Sequence, residues 1–400
     1  MNEKVMTDIK YGLPEEVVFC KKCVISNQRP SSVHEQTAKK GDKKNTIHFD
    51  ENGVCGACNF AEHKKDIDWG QRKLQLEKLL DKHRSKDGTY DVVVPGSGGK
   101  DSCYVAHQLK HEYGMHPLTI TWAPHTYTDV GWRNMQSWIH SGFDNMLITP
   151  NGKVHRTLTR LAFENMGHPF QPFIMGQANL AVKVALKLKI PLIFYGENGA
   201  EYGNTSRDAH SPLRPLPVTS NNPYFGGFTM KELAEREGIM GGDLDIYMPP
   251  SMKQMMEAGI ESHFYGYYTN WSPQDNFYYV TEKMNFEVNP DGRSEGTYSK
   301  YSSLDDKIDG FHYFTTFIKF GIGRATYDAT QEIRDARITR EEAVALVQRY
   351  DGEFPKKYFK DFLDYLGISE DRFWEVIEGL RSPHLWKKEG DSWMLKSQVK

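Results

Sequence analysis

The sequence has little cysteine, no long apolar run and almost no excess of charge. Only five of its 400 residues are cysteine. This excludes a disulfide-rich secreted scaffold, and a chain of this length buries enough surface to fold without such bonds. No stretch approaches the ~18 consecutive apolar residues of a membrane-spanning helix. A formal net charge of −3 argues against a protein that coats nucleic acid, since that class carries a strongly basic surface.

The first ten residues also lack the apolar centre of a secretory signal. We therefore expect a cytoplasmic protein without a membrane span. The chain has room for two or three domains of ordinary size.

Four of the five cysteines form two C-x-x-C pairs, Cys20 with Cys23 and Cys55 with Cys58. In a reducing compartment such pairs are typical of a structural zinc site, because each tight turn supplies two thiolates to a tetrahedral ion. The insert between the pairs exceeds the usual ~15–20 residues, and we interpret it as a polar, lysine-rich loop. Four free cysteines, or a redox or sulfur-carrying role, are the alternatives.

A glycine-rich turn at residues 97–102 reads Ser-Gly-Gly-Lys-Asp-Ser. The apolar, β-branched run at residues 92–94 predicts a buried parallel strand before it, and a helix is expected from about Lys100. This order points free backbone N–H groups at an anion. A Walker A loop would need Ser or Thr after Lys100, and a Rossmann loop would need glycine at position 101, where Asp101 stands.

The turn instead resembles the SGGxDS signature of the PP-loop, or N-type, ATP pyrophosphatases, which cleave ATP between the α and β phosphates. The glycines let the backbone approach the phosphates, the serine hydroxyls donate hydrogen bonds, and Asp101 can hold Mg²⁺. An ordinary strand-to-helix turn is the alternative. The candidate ATP-binding residues here are Ser97, Gly98, Gly99, Lys100, Asp101 and Ser102.

Three further strands are predicted at residues 117–122, 145–149 and 192–195, with helical segments between them. This alternation indicates an α/β fold with a doubly wound parallel sheet, whose ligands bind at the carboxyl ends of the strands. Trp122 ends the second strand and contacts either adenine or the core. Glu197 follows the fourth strand, where its carboxylate would hold Mg²⁺ or position an attacking amine, unless the turn is merely solvated.

The carboxyl-terminal third is expected to be mostly helical and holds a second basic glycine turn. Lys319, Gly321, Gly323 and Arg324 precede a helix expected to open with Asp328. The two cations suit the charge that develops on pyrophosphate and AMP, although a surface loop with two ordinary cations is the alternative. The aromatic segment 263–279 either holds a sugar or belongs to the core.

The chain as a whole resembles the N-acetyl sugar amidotransferases of bacterial surface-glycan biosynthesis, the WbpG- and PseA-like enzymes of the PP-loop superfamily. The resemblance covers most of the chain. It depends on the cysteine pairs together with SGGKDS at 97–102, GENGAEY at 196–202, LDDKIDGFH at 304–312 and KFGIGRAT at 319–326.

That resemblance implies an adenine nucleotide alpha hydrolase-like fold and an ATP-dependent reaction. The acetamido group of a nucleotide-linked sugar becomes acetamidino through an O-adenylyl imidate, with release of AMP and pyrophosphate, in O-antigen or nonulosonic acid biosynthesis. ATP, Mg²⁺ and structural Zn²⁺ are the implied cofactors. The implied catalytic residues are Lys100, Asp101, Glu197, Lys319 and Arg324.

The ammonia is expected from a partner, because glutaminases use a cysteine nucleophile and the chain has none to spare. Residue 2 is Asn2, and Cys103 lies within the helix behind the turn, where it is most simply a small buried residue. We expect glutaminase and barrel subunits similar to those of histidine biosynthesis.

Three regions are expected: a zinc-binding module at 1–68, a PP-loop domain at 69–245, and a region at 246–400 that completes the active site. A PP-loop tRNA-modifying enzyme is the alternative function, against which the neutral charge and the lack of a sulfur-handling cysteine argue. A non-catalytic nucleotide sensor is a third possibility.

Overall fold

The structure, a computed structural model, describes residues 9–32, 34–202, 210–217 and 220–400, and its centre is a five-stranded parallel sheet. The start of the chain, from which we predicted no secretory signal, lies mostly outside the described residues. The sheet strands are β1 (Val92–Pro95), β2 (Pro117–Trp122), β3 (Asp144–Ile148), β4 (Leu192–Tyr195) and β7 (Glu261–Phe264). The strand order is β3-β2-β1-β4-β7, and all four pairings are parallel. The predicted α/β fold with a doubly wound sheet is confirmed.

Alternate side chains of the strands fill two separate cores, one on each face of the sheet. Val93 packs with the larger core, whereas Val92 and Val94 pack with the smaller one. A strand with both faces covered reads as a continuous apolar run, which is why residues 92–94 were recognisable as a strand. The larger core includes α5 (Gly152–Met166) and α6 (Gln171–Leu188), and the smaller one includes α3 (Lys100–His107).

The fifth strand, β7, was not predicted. It pairs with β4 and lies beyond residue 245, the predicted end of the PP-loop domain. The sheet therefore continues into the region at 246–400 that was assigned to the carboxyl-terminal part. The aromatic segment 263–279 contains the end of this strand, and its side chains Tyr265, Trp271 and Phe277 are buried in the smaller core. For these residues the structure supports the core interpretation of the aromatic segment.

The remaining elements are mostly helices, and none in the described part of the chain is long and apolar enough to cross a membrane. Short hairpins are formed by β5 (Tyr224–Phe225) with β6 (Phe228–Thr229) and by β8 (Trp386–Glu389) with β9 (Ser392–Leu395). The other helices are α1 (Gly56–His63), α2 (Trp69–His83), α4 (Asp129–His140), α7 (Met230–Glu237), α8 (Gly241–Leu244), α9 (Met252–Glu257), α10 (Pro273–Met284), α11 (Asp309–Phe320), α12 (Arg324–Arg334), α13 (Arg340–Tyr350), α14 (Phe359–Leu366) and α15 (Glu370–Leu380).

The amino-terminal cysteine region packs against the carboxyl-terminal third of the chain, next to the carboxyl edge of the sheet. Ile322, between α11 and α12, is buried in one apolar cluster with the four cysteines of the amino-terminal region. On the other side of that region, the ammonium of Lys64 forms a buried ion pair with Glu201, which follows β4. These contacts place the cysteine region, the sheet edge and α12 around a shared space.

Candidate active site

The turn between β1 and α3 runs so close to α4 that it requires glycine. Gly98 has a φ of +84°, and a Cβ there would lie 2.8 Å from the backbone N and Cα of Met135. Such a contact is with backbone atoms that cannot move aside, and the positive φ independently favours glycine. Gly99, the N-cap of α3, has no side-chain cap, so the helix begins with free N–H groups.

The side chains of this turn are held by a contact within the turn and by two other parts of the chain. Lys100 Nζ lies 2.6 Å from Asp101 Oδ2, and Asn276 Nδ2 of α10 donates to Asp101 Oδ1 over 3.1 Å. Ser97 Oγ donates to Asp305 Oδ2 over 2.7 Å, and burial raises the pKa of Asp305 above its usual range. Asp305 belongs to the motif at residues 304–312. From the sequence alone, this motif was not expected to orient the turn.

Glu197 lies just beyond β4 and its carboxylate faces the same space as Asp101. Burial, followed by the charge of Asp101, raises the pKa of Glu197 to about 7, and the Tyr202 hydroxyl donates to Glu197 Oε2. A Cβ on Gly196 would lie 3.7 Å from the Asp101 Cβ, so the ends of β1 and β4 bring the two acids together. Two neighbouring carboxylates are oxygen donors of the kind that Mg²⁺ prefers.

Glu201, the second acid of this segment, has a different environment. Lys64 Nζ lies 2.8 Å from Glu201 Oε1 and also donates to the Trp271 carbonyl over 2.8 Å. A buried acid with its own cation serves to join α1 to the sheet edge. Glu197, by contrast, forms no ion pair within the described residues, which leaves its carboxylate available to a ligand.

A cavity of about 680 Å³ opens beside these residues. Lys100, Asp101, Glu197 and Arg324, four of the expected catalytic residues, line it together. Its walls come from the cysteine region, from the loops after β1 and β4, and from α11 and α12. A cleft of this size at the carboxyl ends of parallel strands is typical of a ligand site in this class of fold.

The second glycine turn, at residues 319–324, does not present free N–H groups to a ligand as the sequence predicted. Helix α12 begins at Arg324 rather than near Asp328, and its first N–H groups are already occupied. Gly323 N donates to Asp351 Oδ2 over 3.0 Å, and Thr326 N donates to Asp351 Oδ1 over 3.1 Å. The turn therefore binds an anion, but the anion is a carboxylate of the same chain.

The two cations of that turn point in different directions. Arg324 faces the cavity, where its Nε lies 3.2 Å from Asp328 Oδ1. Lys319 lies in the last turn of α11, is buried outside the cavity, and donates to the Met166 carbonyl over 2.8 Å. Burial lowers the pKa of Lys319 to about 7. The structure thus brings Arg324, and not Lys319, to the other candidate residues.

Trp122 is a core residue in this structure. Its side chain is 2% exposed and packs beside His155 and Tyr247. Gly176 of α6 lies so close beneath the indole that any Cβ would overlap the ring. Of the two interpretations left open for Trp122, the packing supports the core rather than contact with adenine.

The sulfur atoms of the four clustered cysteines, Cys20, Cys23, Cys55 and Cys58, all lie within 4.8 Å of one another and are buried. Cys23 Sγ and Cys55 Sγ are 3.7 Å apart, and the Cys55 N–H points at Cys20 Sγ over 3.3 Å. Zinc–sulfur bonds of about 2.3 Å in a tetrahedron put the sulfur atoms about 3.8 Å apart. The four thiols therefore fit one tetrahedral metal ion.

The comparisons with known proteins address different parts of the chain. A search of curated proteins finds no match. One solved structure that the chain is similar to is the U34-tRNA thiolase NcsA from Methanococcus maripaludis with its 4Fe-4S cluster, at 13% identity over 84% of this chain and 89% of that one. With a TM-score of 0.28, this likeness carries no argument about fold or function.

The family comparison is more specific. Residues 295–400 match the family described as LPS biosynthesis protein WbpG-like, C-terminal domain. This part of the chain supplies Asp305 beside the first turn and Arg324 in the cavity. For residues 295–400, the match confirms the resemblance to WbpG-like proteins that the motifs indicated.

Proposed function

We propose that the protein is an ATP-dependent amidotransferase that converts the acetamido group of a nucleotide-linked sugar to acetamidino. One observation carries the proposal: Lys100 and Asp101 of the SGGKDS loop and residues of the WbpG-like domain, such as Arg324, line the same cavity. The fold, this loop and the family match support a PP-loop enzyme of glycan biosynthesis. Beyond this, we propose that the electrophile is an amide and that the substrate is a nucleotide-linked sugar.

An amide is a poor electrophile, and ATP is the reagent that activates it. The amide oxygen attacks the α-phosphate, pyrophosphate leaves, ammonia adds to the imidate carbon, and AMP departs with the former amide oxygen. In this scheme the N–H groups at the start of α3 and the ammonium of Lys100 bind the pyrophosphate. Arg324 offsets the negative charge that builds up on the phosphates.

Asp101 and Glu197 would hold Mg²⁺, which draws charge from the phosphates when bound. Burial and, after it, the charge of Asp101 raise the pKa of Glu197, and a divalent cation bound between the two carboxylates would relieve both effects. Where Asp101 alone holds the ion, Glu197, with a pKa of about 7, is instead suited to take a proton from the attacking amine. We assign the four clustered thiols to a structural Zn²⁺, checked by one zinc ion per chain in metal analysis.

The test is a panel of N-acetylated nucleotide sugars mixed with the enzyme, ATP, Mg²⁺ and ammonium. We expect AMP and pyrophosphate in equal amounts, and a sugar whose mass falls by the difference between oxygen and NH. Release of AMP only when tRNA is added would instead support the tRNA-modifying alternative. A panel that gives no AMP with any sugar would overturn the proposal.

Ammonia is proposed to come from a partner glutaminase, with a barrel subunit between them. Cys103 is buried in α3, and burial raises the pKa of its thiol well above the usual range, so it is no nucleophile. The purified chain with glutamine alone should therefore release no glutamate, whereas free ammonium should support turnover. Glutamate release by the chain on its own would contradict this part.

A further inference from the structure

Within the part of the chain that the structure describes, two arginines of the cavity wall form no ion pair with a carboxylate. Arg29, from the region between the cysteine pairs, is 8% exposed and donates from Nη1 to the carbonyl oxygen of Tyr202. Its guanidinium carbon lies 5.9 Å from the ring centre of Tyr202 and 5.7 Å from that of Tyr327. The two rings hold the guanidinium at the edge of the cavity.

Arg334, the last residue of α12, lines the same cavity from the opposite end of the chain. Its Nη2 donates to the Glu201 carbonyl over 3.0 Å, next to the carbonyl that Arg29 uses. Its Nε is buried and has no acceptor among the described residues. The Glu201 carboxylate is bonded by Lys64, and it acts on Arg334 only through its charge, as the Cys23 and Cys58 thiolates do.

The other cations of the cavity are neutralised within the chain. Lys100 is paired with Asp101, and Arg324 is paired with Asp328. In the described part of the chain neither Arg29 nor Arg334 forms an ion pair, and each bonds only a neutral carbonyl. Burial of the Arg29 guanidinium without a counter-ion among the described residues is costly, and the Nε of Arg334 is a buried donor without an acceptor, so the arrangement favours binding of an anion supplied from outside.

We propose that Arg29 and Arg334 form a subsite for the diphosphate of a nucleoside-diphosphate sugar. This rests on the proposed function for the identity of the substrate. Each guanidinium can grip a phosphoryl group through two parallel N–H donors, and two guanidiniums match two phosphoryl groups. The cysteine region is then part of the substrate site, because Arg29 lies between its two metal-binding pairs.

The test is calorimetric titration with UDP as the probe, in the presence of Mg²⁺ and saturating α,β-methylene ATP, which occupies the nucleotide site without being cleaved. Arg29→Ala and Arg334→Ala should each weaken UDP binding by about ten- to one-hundred-fold. The affinity for α,β-methylene ATP should stay unchanged. Arg29→Lys and Arg334→Lys should fall between, since lysine keeps the charge and loses the paired donors.

Matched controls are Arg236→Ala, whose guanidinium lies 4.4 Å from the Phe228 ring outside the cavity, and Arg337→Ala, which is paired with Asp275. Both should bind UDP as the wild type does. Zinc content and thermal unfolding of every variant show that the cysteine region is intact. Where an alanine variant fails to fold, the lysine variant supplies the comparison.

The outcomes separate this subsite from the proposed reaction. UDP binding that depends on both arginines, in an enzyme that forms no AMP with any N-acetylated sugar, supports the subsite and overturns the reaction. AMP formation with an unchanged KM for the sugar nucleotide in both alanine variants overturns the subsite and leaves the reaction standing. If CMP binds as tightly as UDP, and Arg29→Ala and Arg334→Ala weaken both to the same extent, the assignment of the subsite to a diphosphate is overturned.

Discussion

Two glycine turns open helices beside the cavity, and they differ in what faces the helix end. Before α3, a Cβ on Gly99 would meet only Ser97 Oγ, at 3.9 Å. Before α12, a Cβ on Gly323 would lie 2.7 Å from Asp351 Oδ1, because that carboxylate already accepts the N–H groups of the turn. The first turn is open to a ligand, and the second is filled by the chain itself.

The difference shows what a basic glycine turn does and does not indicate. In both cases the sequence points to an anion at a helix N-terminus, and in both cases the helix begins with N–H groups that favour one. Whether the anion is a phosphate or a side chain depends on a residue distant in the chain. Asp351 lies after α13, in a segment with no signal that links it to this turn.

The largest expected effect is on the open turn. Asp101→Asn keeps the size of the side chain and its contact with Asn276, but removes the charge proposed to hold Mg²⁺ on the phosphates. We expect the rate of AMP formation to fall by about 10²–10³-fold. The thermal unfolding temperature should change little. A rate within about ten-fold of wild type would contradict the role of this turn.

The same exchange in the filled turn should act on stability instead. Asp351→Asn leaves an amide that cannot accept from all of its present donors, which include Thr326 Oγ1 as well as the two backbone N–H groups. We expect a loss of about 1–3 kcal/mol in the free energy of unfolding. The pKa of Asp351, raised by burial to about 6, leaves it ionised at pH 7.5, where denaturant titration should be done.

The folded Asp351→Asn variant should keep the wild-type KM for ATP. A raised KM with unchanged stability would show that the second turn binds nucleotide after all. It would also remove the distinction between the two turns.

A pair of alanine substitutions at the two N-caps sharpens the comparison with a smaller effect. Neither Gly99 nor Gly323 has a positive φ, so alanine is compatible with both backbones. Gly323→Ala must push the Asp351 carboxylate aside, and overpacking of this kind costs about 1–3 kcal/mol. Gly99→Ala should leave stability unchanged and raise the KM for ATP, since its methyl group occupies the approach of the phosphates. Reversal of the two phenotypes would refute the assignment of open and filled turns.

The sequence was sufficient for most of the fold because β1, β2 and β4 are short, mostly apolar runs that are buried along nearly their whole length. The fifth, β7, was missed because its sequence, Glu261–Phe264, contains only one residue with a strongly apolar side chain and merges into an aromatic segment. Its position depends on pairing with β4, which is a long-range contact. Local pattern carries no information about such a pairing.

For the candidate site, the sequence identified the residues at strand ends and missed those that reach it from elsewhere. Asp101 was predicted from the SGGxDS signature, and Glu197 from its position at the carboxyl end of a strand. Asp305, Arg29 and Arg334 come from segments that only tertiary packing brings to the cavity. Lys319 and Arg324 were predicted to face the same site. They do not, because the helix α11 continues through residue 320 and the two side chains point in different directions.

The smallest expected effect concerns Lys319 and is seen in the pH dependence of stability. Its pKa is lowered by burial to about 7 in the folded chain, against 10.5 for an ordinary lysine. Between these values the unfolded chain binds a proton that the folded chain does not, so this group makes the free energy of unfolding rise with pH. The slope is at most about 1.4 kcal/mol per pH unit.

Lys319→Met keeps the length of the side chain and removes the titration. Denaturant titrations of both proteins between pH 7 and pH 9.5 should give stabilities that diverge as the pH falls, with the variant losing the upward slope of the wild type. The lost hydrogen bond to the Met166 carbonyl shifts the variant's curve by a constant and leaves this slope difference intact. Parallel curves would mean that Lys319 stays charged in the folded chain, stabilised by the neighbouring Glu35 carboxylate, and would contradict the lowered pKa.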